Sequence, residues 1–173
     1  MKNNSINIRP GQLSDLPRIV EIQNYYIQNT HITFDVHPFT PEQRAEWFRD
    51  HSSGGRYRML VAEDEGGGVV AYATTGRFRP KEAYETTVEL SIACDSNATG
   101  KGIGTRLYGE LLDILSSEDV RRVVAGIAQP NAASNALHER FGFQPVGTFT
   151  EVGRKFGRYW DVTWMEKALG GGS

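Results

Sequence analysis

Three glycines around a lysine form the part of this sequence best suited to chemistry. Gly100, Gly102 and Gly104 alternate with Lys101 and Ile103, and an amphipathic helix pattern begins directly after them. Glycines at the start of a helix let backbone N–H groups approach a ligand closely, and these unpaired amides favour phosphate together with the helix dipole. We therefore predict that a phosphate-bearing cofactor binds here, with Lys101 adding positive charge.

Two common phosphate motifs do not fit this cluster. A P-loop requires Ser or Thr directly after its Gly-Lys pair, and Gly102 occupies that position. The dinucleotide fingerprint requires G-x-G-x-x-G in the first strand–helix unit, and Thr105 and Arg106 break that spacing. The alternative is that the glycines form only a turn. Motifs elsewhere in the chain are needed to distinguish a turn from a phosphate site.

Length and composition describe an ordinary globular chain. With 173 residues, 39% of them hydrophobic, we expect one domain over residues 1–169 and a linker remnant at 170–173. A net charge of -2 argues against sequence-independent nucleic-acid binding, and the apolar runs are far shorter than the roughly 20 residues that cross a bilayer. One cysteine, Cys94, and a start without the apolar core of a secretory signal favour the cytoplasm.

Hydrophobic periodicity predicts the order β-α-α-β-β-β-α-β-α-β-β. Strands are expected at 6–9, 57–63, 69–78, 87–94, 122–127, 145–152 and 159–165. Helices are expected after Ser14-Asp15, after Thr40, at 102–115 and at 131–141. In the last helix, Ala132, Ala136, Leu137 and Phe141 are expected to face inward, and Gly153 is expected in the loop of the final hairpin.

Three motifs in this order match a known family. The glycine loop spans Thr99-Gly-Lys-Gly102-Ile-Gly104, a later helix starts with Asn131-Ala-Ala-Ser134, and that helix ends with Arg140-Phe-Gly-Phe143. With the order of elements, they resemble the GCN5-related N-acetyltransferases. The resemblance implies an α/β fold with a mixed, mostly antiparallel sheet flanked by helices, and acetyl-coenzyme A as co-substrate without a metal. Thr99 departs from the usual Gln or Arg, which leaves the backbone amides to form the phosphate cradle.

A narrower resemblance covers residues 8–169. Asn29-Thr30 with Phe34, Arg79-Pro80, Thr87-Val-Glu89 with Ser91, and the segment 152–161 look like the phosphinothricin and methionine sulfoximine acetyltransferases. That subfamily implies acetylation of the α-amine of phosphinothricin, methionine sulfoximine or methionine sulfone, and hence herbicide resistance. It also implies a homodimer to which the last hairpin, with Lys155 and Phe156, contributes.

The same resemblance implies where the cofactor binds. The backbone from Ile92 to Cys94 is expected to bind the pantetheine arm and to polarise the thioester oxygen, and Asn131 to contact coenzyme A as well as cap its helix. We interpret the Cys94 thiol as structural, because nothing near it in sequence would lower its pKa. The expected cofactor-binding residues are Ile92, Ala93, Cys94, Gly100, Lys101, Gly102, Ile103, Gly104, Thr105 and Asn131.

Two residues are candidates for proton transfer. Glu89 lies in an otherwise apolar strand, where burial in a cleft would raise its pKa and suit it to act as the base, directly or through a water; the alternative is that it faces solvent. His138 occupies the position where many relatives have a tyrosine that protonates the coenzyme A thiolate, and imidazole can do this near neutral pH; the alternative is a structural histidine. With no nucleophile motif and no metal-ligand spacing among the histidines, we expect direct transfer in a ternary complex.

Basic residues beside aromatic ones predict a small anionic acceptor. Arg79 is suited to hold a carboxylate or phosphinate through two parallel hydrogen bonds, although surface charge explains such clusters equally well. The expected acceptor wall comprises Phe34, Arg79, Pro80, Lys81, Glu89, Leu90 and Ser91. Two alternatives remain open: an acetyltransferase for another small amine, and an acetyl-coenzyme A-binding module without turnover.

Overall fold

A seven-stranded sheet forms the centre of the computed structural model, which describes residues 6–51 and 54–170. In chain order the strands are β1 (Asn7–Pro10), β2 (Met59–Glu63), β3 (Val69–Arg77), β4 (Thr87–Cys94), β5 (Arg122–Ala128), β6 (Gln144–Lys155) and β7 (Arg158–Ala168). The helices that flank them are α1 (Leu16–Asn29), α2 (Pro41–Arg49), α3 (Ile103–Leu115) and α4 (Ala132–Arg140). The predicted order of strands and α-helices is confirmed. Residues 171–173, most of the predicted linker remnant, lie outside the described residues.

Two neighbouring strands in the middle of the sheet are paired over only part of their length. Its strand order is β1-β2-β3-β4-β5-β7-β6, and β4 with β5 is the parallel pair, so the predicted mixed, mostly antiparallel sheet is confirmed. The β4–β5 register ends at Glu89 opposite Val124, although the strands continue to Cys94 and Ala128. Each strand stays paired with its outer neighbour. The inner edges therefore separate and leave a V-shaped opening with unpaired backbone groups.

Two apolar clusters hold the helices on opposite faces of the sheet. On one face α3 contributes Leu107, Leu111 and Leu115, all fully buried and spaced by one helical turn. On the other face α1 packs through residues that include Ile19 and Ile22. Burying each such side chain contributes about 1.5–3 kcal/mol, so both helices are firmly fixed against the strands that form the opening.

The helix starts differ in how they are capped. Thr40 and Gln43 form the reciprocal side-chain caps that the sequence predicts for α2. Asp15 lies at the N-cap position of α1 as predicted, but its side chain makes no capping bond to this helix, which a 3-10 turn precedes. The Asp15 carboxylate instead binds both terminal nitrogens of Arg9, at 2.7 and 2.8 Å. The Asp15 carboxylate also accepts from the Gln12 N–H at 2.7 Å, so these bonds take the place of a side-chain cap on α1.

Two expectations about the C-terminal part are wrong. Ala132 and Ala136 are exposed, whereas His138 is buried, because α4 packs against the core through its second half only. Gly153 lies within β6 rather than in the hairpin loop, since the turn is confined to Phe156 and Gly157. The last two strands are consequently longer than predicted.

Candidate active site

The opening between β4 and β5 continues into a cleft of about 970 Å³. Most of the residues predicted for the site line it: Phe34, Glu89, Leu90, Ser91, Ile92, Ala93, Cys94, Gly100, Gly102, Ile103, Gly104, Thr105, Asn131 and His138. Arg79, Pro80, Lys81 and Lys101 do not line it, and all four are exposed. The fold thus brings the two predicted proton-transfer residues and nearly all of the predicted cofactor segment into one cavity.

The glycine loop presents free amides at one end of the cleft. Gly100 and Gly102 have φ of +74° and +75°, a left-handed conformation that side chains other than glycine rarely adopt. The first backbone bond of α3 runs from the Arg106 N–H to the Gly102 carbonyl, so the amides of residues 103–105 have no acceptor within the helix. Backbone N–H groups at a helix start are a suitable cradle for phosphate.

The polar side chains of the loop turn toward the loop itself. The Lys101 ammonium donates to the Asn97 carbonyl at 2.9 Å, and the Thr99 hydroxyl donates to the Ser96 carbonyl at 3.2 Å. Both side chains thus stabilise the loop conformation. The groups left free to contact a ligand at this end of the cleft are therefore the backbone amides.

Two contacts fix the borders of the opening. The Cys94 carbonyl, at the end of β4, accepts a hydrogen bond from the Tyr26 hydroxyl at 2.6 Å. Burial raises the pKa of the Cys94 thiol, which keeps it protonated. Across the cleft, the Asn131 side chain accepts from the Ser134 N–H at 3.1 Å and caps α4.

Glu89 occupies the last paired position before the two strands part. In the ladder it lies opposite Gly76 of β3 and Val124 of β5, and its side chain is half-buried. Burial raises the pKa of this carboxyl, while the nearby positive charge of Arg79 acts in the opposite direction. A desolvated carboxylate at the edge of a cleft is suited to accept a proton near neutral pH.

His138 is a buried ring whose proton position is fixed by its own helix. Its Nδ1 lies 2.7 Å from the Ser134 carbonyl, a contact in which Nδ1–H must be the donor. Nε2 is buried and has no hydrogen-bond partner among the described residues. Burial lowers the pKa of the imidazole, which favours the neutral ring. In that state Nε2 carries a lone pair and can accept a proton but not donate one.

Sequence reasoning missed a group on the face of α1 and α2. The cleft wall beside the predicted residues includes four side chains of these helices and one of β3: Gln23, Tyr26, Arg44, Trp47 and Tyr72. Trp47 contacts Tyr72 edge-on, with ring centroids 6.4 Å apart. The pattern of α2 indicated only an amphipathic helix, since the partners of these side chains come from β3 and the loop after α1.

The loop at 30–38, which carries Phe34, is held by the final hairpin. The Lys155 ammonium is buried and donates to the Thr33 carbonyl at 2.8 Å. The rings of His31 and Trp160 stack with centroids 4.0 Å apart. Lys155 thus makes contacts within its own chain.

The similarity of this chain to known proteins covers nearly its whole length. A family model for the acetyltransferase (GNAT) domain matches residues 8–164. The chain belongs to the GNAT acetyltransferase family. It is 50% identical over 165 residues to a phosphinothricin N-acetyltransferase of Streptomyces coelicolor, across 95% of this chain and 96% of the relative. It is 38% identical over 165 residues to an L-methionine sulfoximine/L-methionine sulfone acetyltransferase of Pseudomonas aeruginosa, across 95% of each.

A solved GNAT structure has the same architecture. A phosphinothricin acetyltransferase from Sinorhizobium meliloti in complex with acetyl-coenzyme A superposes with a TM-score of 0.92 at 34% identity, across 97% of this chain and 90% of that one. As a GNAT acetyltransferase, this chain is an N-acetyltransferase that uses acetyl-coenzyme A. The free amides at the start of α3 and the unpaired inner edge of β4 fit such a co-substrate, which supplies an activated acetyl thioester when bound.

Two absences apply to residues 6–51 and 54–170 of this GNAT domain. They contain no group of three or more His, Cys, Asp or Glu side chains arranged to hold a metal ion. Within the same residues no helix is both long and apolar enough to span a membrane.

Proposed function

We propose that the chain transfers an acetyl group to the α-amine of phosphinothricin, methionine sulfoximine or methionine sulfone. The observation that carries the proposal is Glu89, a desolvated carboxylate at the point where β4 and β5 separate, with the positive charge of Arg79 nearby. A carboxylate beside a cation matches an acceptor that bears both an amine and an acid group. The names of the two relatives described above support the same acceptors.

In this proposal Glu89 accepts the proton that the amine must lose. The amine then takes the acetyl group directly in a ternary complex, because burial keeps the Cys94 thiol in the cleft protonated and hence a poor nucleophile. Amides along the inner edge of β4, between Ile92 and Cys94, polarise the thioester oxygen. The amides of residues 103–105 and Asn131 hold the coenzyme A part of the co-substrate.

His138 enters the proposal as a neutral ring in the cleft wall. Its Nδ1–H bond to Ser134 and its lowered pKa disfavour the proton-donating form. Of the two interpretations that the sequence leaves open, the structural one is therefore adopted here. The acid role stays a prediction with its own test.

We also propose a homodimer built on β6. This strand forms one end of the sheet and is exposed along most of its length. Its exposed apolar side chains include Val146, Phe149 and Val152, with exposed fractions of 63%, 58% and 56%. An exposed apolar edge strand is suited to association with a second copy. The half-buried thiol of Cys94 suits a reducing cytoplasm, where acetylation of phosphinothricin would protect the host.

Free thiol release from acetyl-coenzyme A tests the proposal directly. The acceptor panel comprises phosphinothricin, methionine sulfoximine, methionine sulfone, plain amino acids and a lysine peptide. Turnover confined to the first three acceptors is the expected result. Turnover of plain amino acids alone would replace the acceptor assignment with another small amine. Tight acetyl-coenzyme A binding without any turnover would favour a binding module.

A further inference from the structure

Arg44 is a partly buried arginine to which no carboxylate of the described residues is bonded. Its guanidinium carbon lies 3.9 Å from the centroid of the Trp47 ring and 4.8 Å from that of Phe39. Its Nε is buried and has no hydrogen-bond partner among the described residues. Arg9 and Arg58, by contrast, both bind carboxylates. Two aromatic rings thus position a cation whose buried Nε–H has no acceptor among the described residues.

The surroundings make this cation unfavourable without a ligand. Burial lowers the pKa of Arg44, and the negative charge of Asp35 compensates only from a distance. Because guanidinium stays protonated in proteins, the cost of burying its unpaired donors persists in the free protein. An oxygen that carries negative charge would offset that cost by binding to it.

A second unsatisfied polar group lines the same cleft. The Gln23 Oε1 atom is buried and has no partner among the described residues. Buried polar atoms without partners are uncommon in folded proteins, so those of Arg44 and Gln23, in the same cleft as the Nε2 of His138, indicate a polar ligand. The Gln23 amide offers an acceptor and a donor beside a cation, which suits a group with more than one polar atom.

Arg44 lies beside a part of the sheet that is separate from the reacting centre at Glu89. Tyr72, whose ring contacts that of Trp47, lies opposite Ala93 of β4. Ala93 is four residues from Glu89, or about 13 Å along a strand. Glu89 and Arg44 line the same cleft, so an acceptor with its amine near Glu89 can direct its side chain toward the wall that carries Arg44.

We propose that Arg44 binds the oxygen atoms at the side-chain end of the acceptor and selects for them. This inference rests on the proposed function and deepens it. The ligand class is an α-amino acid whose side chain has oxygen on a tetrahedral phosphorus or sulfur centre. The guanidinium fork binds the oxygens, and the Gln23 amide binds the remaining polar atom. Amino acids that end in an uncharged thioether lack this interaction.

Steady-state kinetics of Arg44→Met with matched acceptors tests the inference. Methionine sulfone and methionine have the same chain and differ only in the sulfur-bound oxygens. We expect kcat/KM for methionine sulfone and phosphinothricin to fall about 10- to 100-fold, mainly through KM, from the loss of a charge-assisted bond. For methionine the change is expected to stay within about 3-fold, and the KM of acetyl-coenzyme A to stay unchanged, since neither involves that bond.

Two further variants serve as controls. Arg49→Met removes an exposed cation from the same helix and should leave all acceptors unaffected. Arg44→Lys keeps the charge but loses the fork, so a smaller loss is expected, again confined to oxygen-bearing acceptors; this variant decides if Arg44→Met fails to fold.

An equal loss for both acceptors, an unchanged preference, or a raised KM for acetyl-coenzyme A would overturn the inference while leaving the proposed function intact. Wild-type protein that turns over none of the oxygen-bearing acceptors would remove the proposed function, and this inference with it.

Discussion

The ring of Phe34 lies directly against the backbone of Gly153. A methyl group added to Gly153 would overlap the ring at Cε2, Cζ and Cδ2. Because Phe34 lines the cleft and Gly153 belongs to β6, the final hairpin determines where the acceptor side of the cleft can lie. The bond from Lys155 to the Thr33 carbonyl strengthens the same connection.

We expect Gly153→Ala to weaken acceptor binding, because the added methyl must displace Phe34. Overpacking of this kind costs about 1–3 kcal/mol, which we expect to see in the free energy of unfolding and in a raised acceptor KM. Chemical denaturation and steady-state kinetics measure the two effects. Gly147→Ala, on the same strand with open space around its Cβ, should change neither. Equal behaviour of the two variants would contradict the contact.

Replacing Glu89 with Gln removes the proposed base. We expect kcat to fall about 10²- to 10⁴-fold at neutral pH, with the KM of acetyl-coenzyme A unchanged. Near-wild-type turnover would exclude Glu89 from the chemistry.

The pH dependence of stability provides a second test, of whether the charge of Glu89 is buried. Its pKa is raised in the folded state, so the folded chain binds more protons and the free energy of unfolding falls as pH rises through that range. Glu89→Gln should therefore raise Tm at neutral pH but not near pH 3, where the carboxyl is protonated in both states. Thermal melts at the two pH values measure this difference, and an equal change at both would contradict the burial of the charge.

Arg79→Met should shift the pH dependence of kcat/KM relative to that of the wild-type protein. The charge of Arg79 counteracts the effect of burial on Glu89, so its removal raises the pKa of that carboxyl further. The acid limb of kcat/KM is expected to move to higher pH, since only the deprotonated carboxylate accepts a proton. Arg77→Met, an exposed cation two residues earlier, is the matched control. A profile that moves equally in both variants would point to general surface charge.

His138→Phe separates proton donation from packing. Phenylalanine keeps a ring against Tyr108 and Phe143, whose centroids lie 5.2 and 5.1 Å from that of His138. We expect kcat to stay within about 3-fold of wild type, well below the loss of at least 10² expected for a lost acid. A loss of that size would restore the acid role.

The pH dependence of stability should also change in this variant. Because the pKa of His138 is lowered by folding, the unfolded chain binds the proton first, and the wild type loses stability as pH falls below about 6.5. His138→Phe should remove this part of the acid destabilisation. Denaturation midpoints measured across that range, compared with those of wild type, check the sign.

Phe149→Glu tests the proposed dimer. A charge on the exposed apolar face of β6 should dissociate the pair because it would have to be buried unpaired at the interface. Light scattering or sedimentation measures the mass. Leu13→Glu, at an exposed apolar site away from β6, should leave the mass unchanged. A monomeric wild type would remove the dimer from the proposal.

Local chemistry was sufficient for much of the fold and for the cofactor end of the site. The order of elements follows from periodicity, and the phosphate cradle follows from glycines that can adopt positive φ just before a helix. The Thr40 cap of α2 likewise involves residues three positions apart. Such features depend on neighbours in the chain, so the sequence alone predicts them.

Long-range contacts decided the rest. The exposure of Ala132 depends on which half of α4 reaches the core. Asp15 does not cap α1 because it pairs with Arg9, which Glu63 of β2 also binds from far along the chain. Periodicity could not show that β4 and β5 part beyond Glu89, since each strand keeps its register with an outer neighbour. Arg44 reaches the cleft because α2 packs on α1 and places Trp47 against Tyr72 of β3. These outcomes depend on contacts between distant segments, which form only once the whole sheet is assembled.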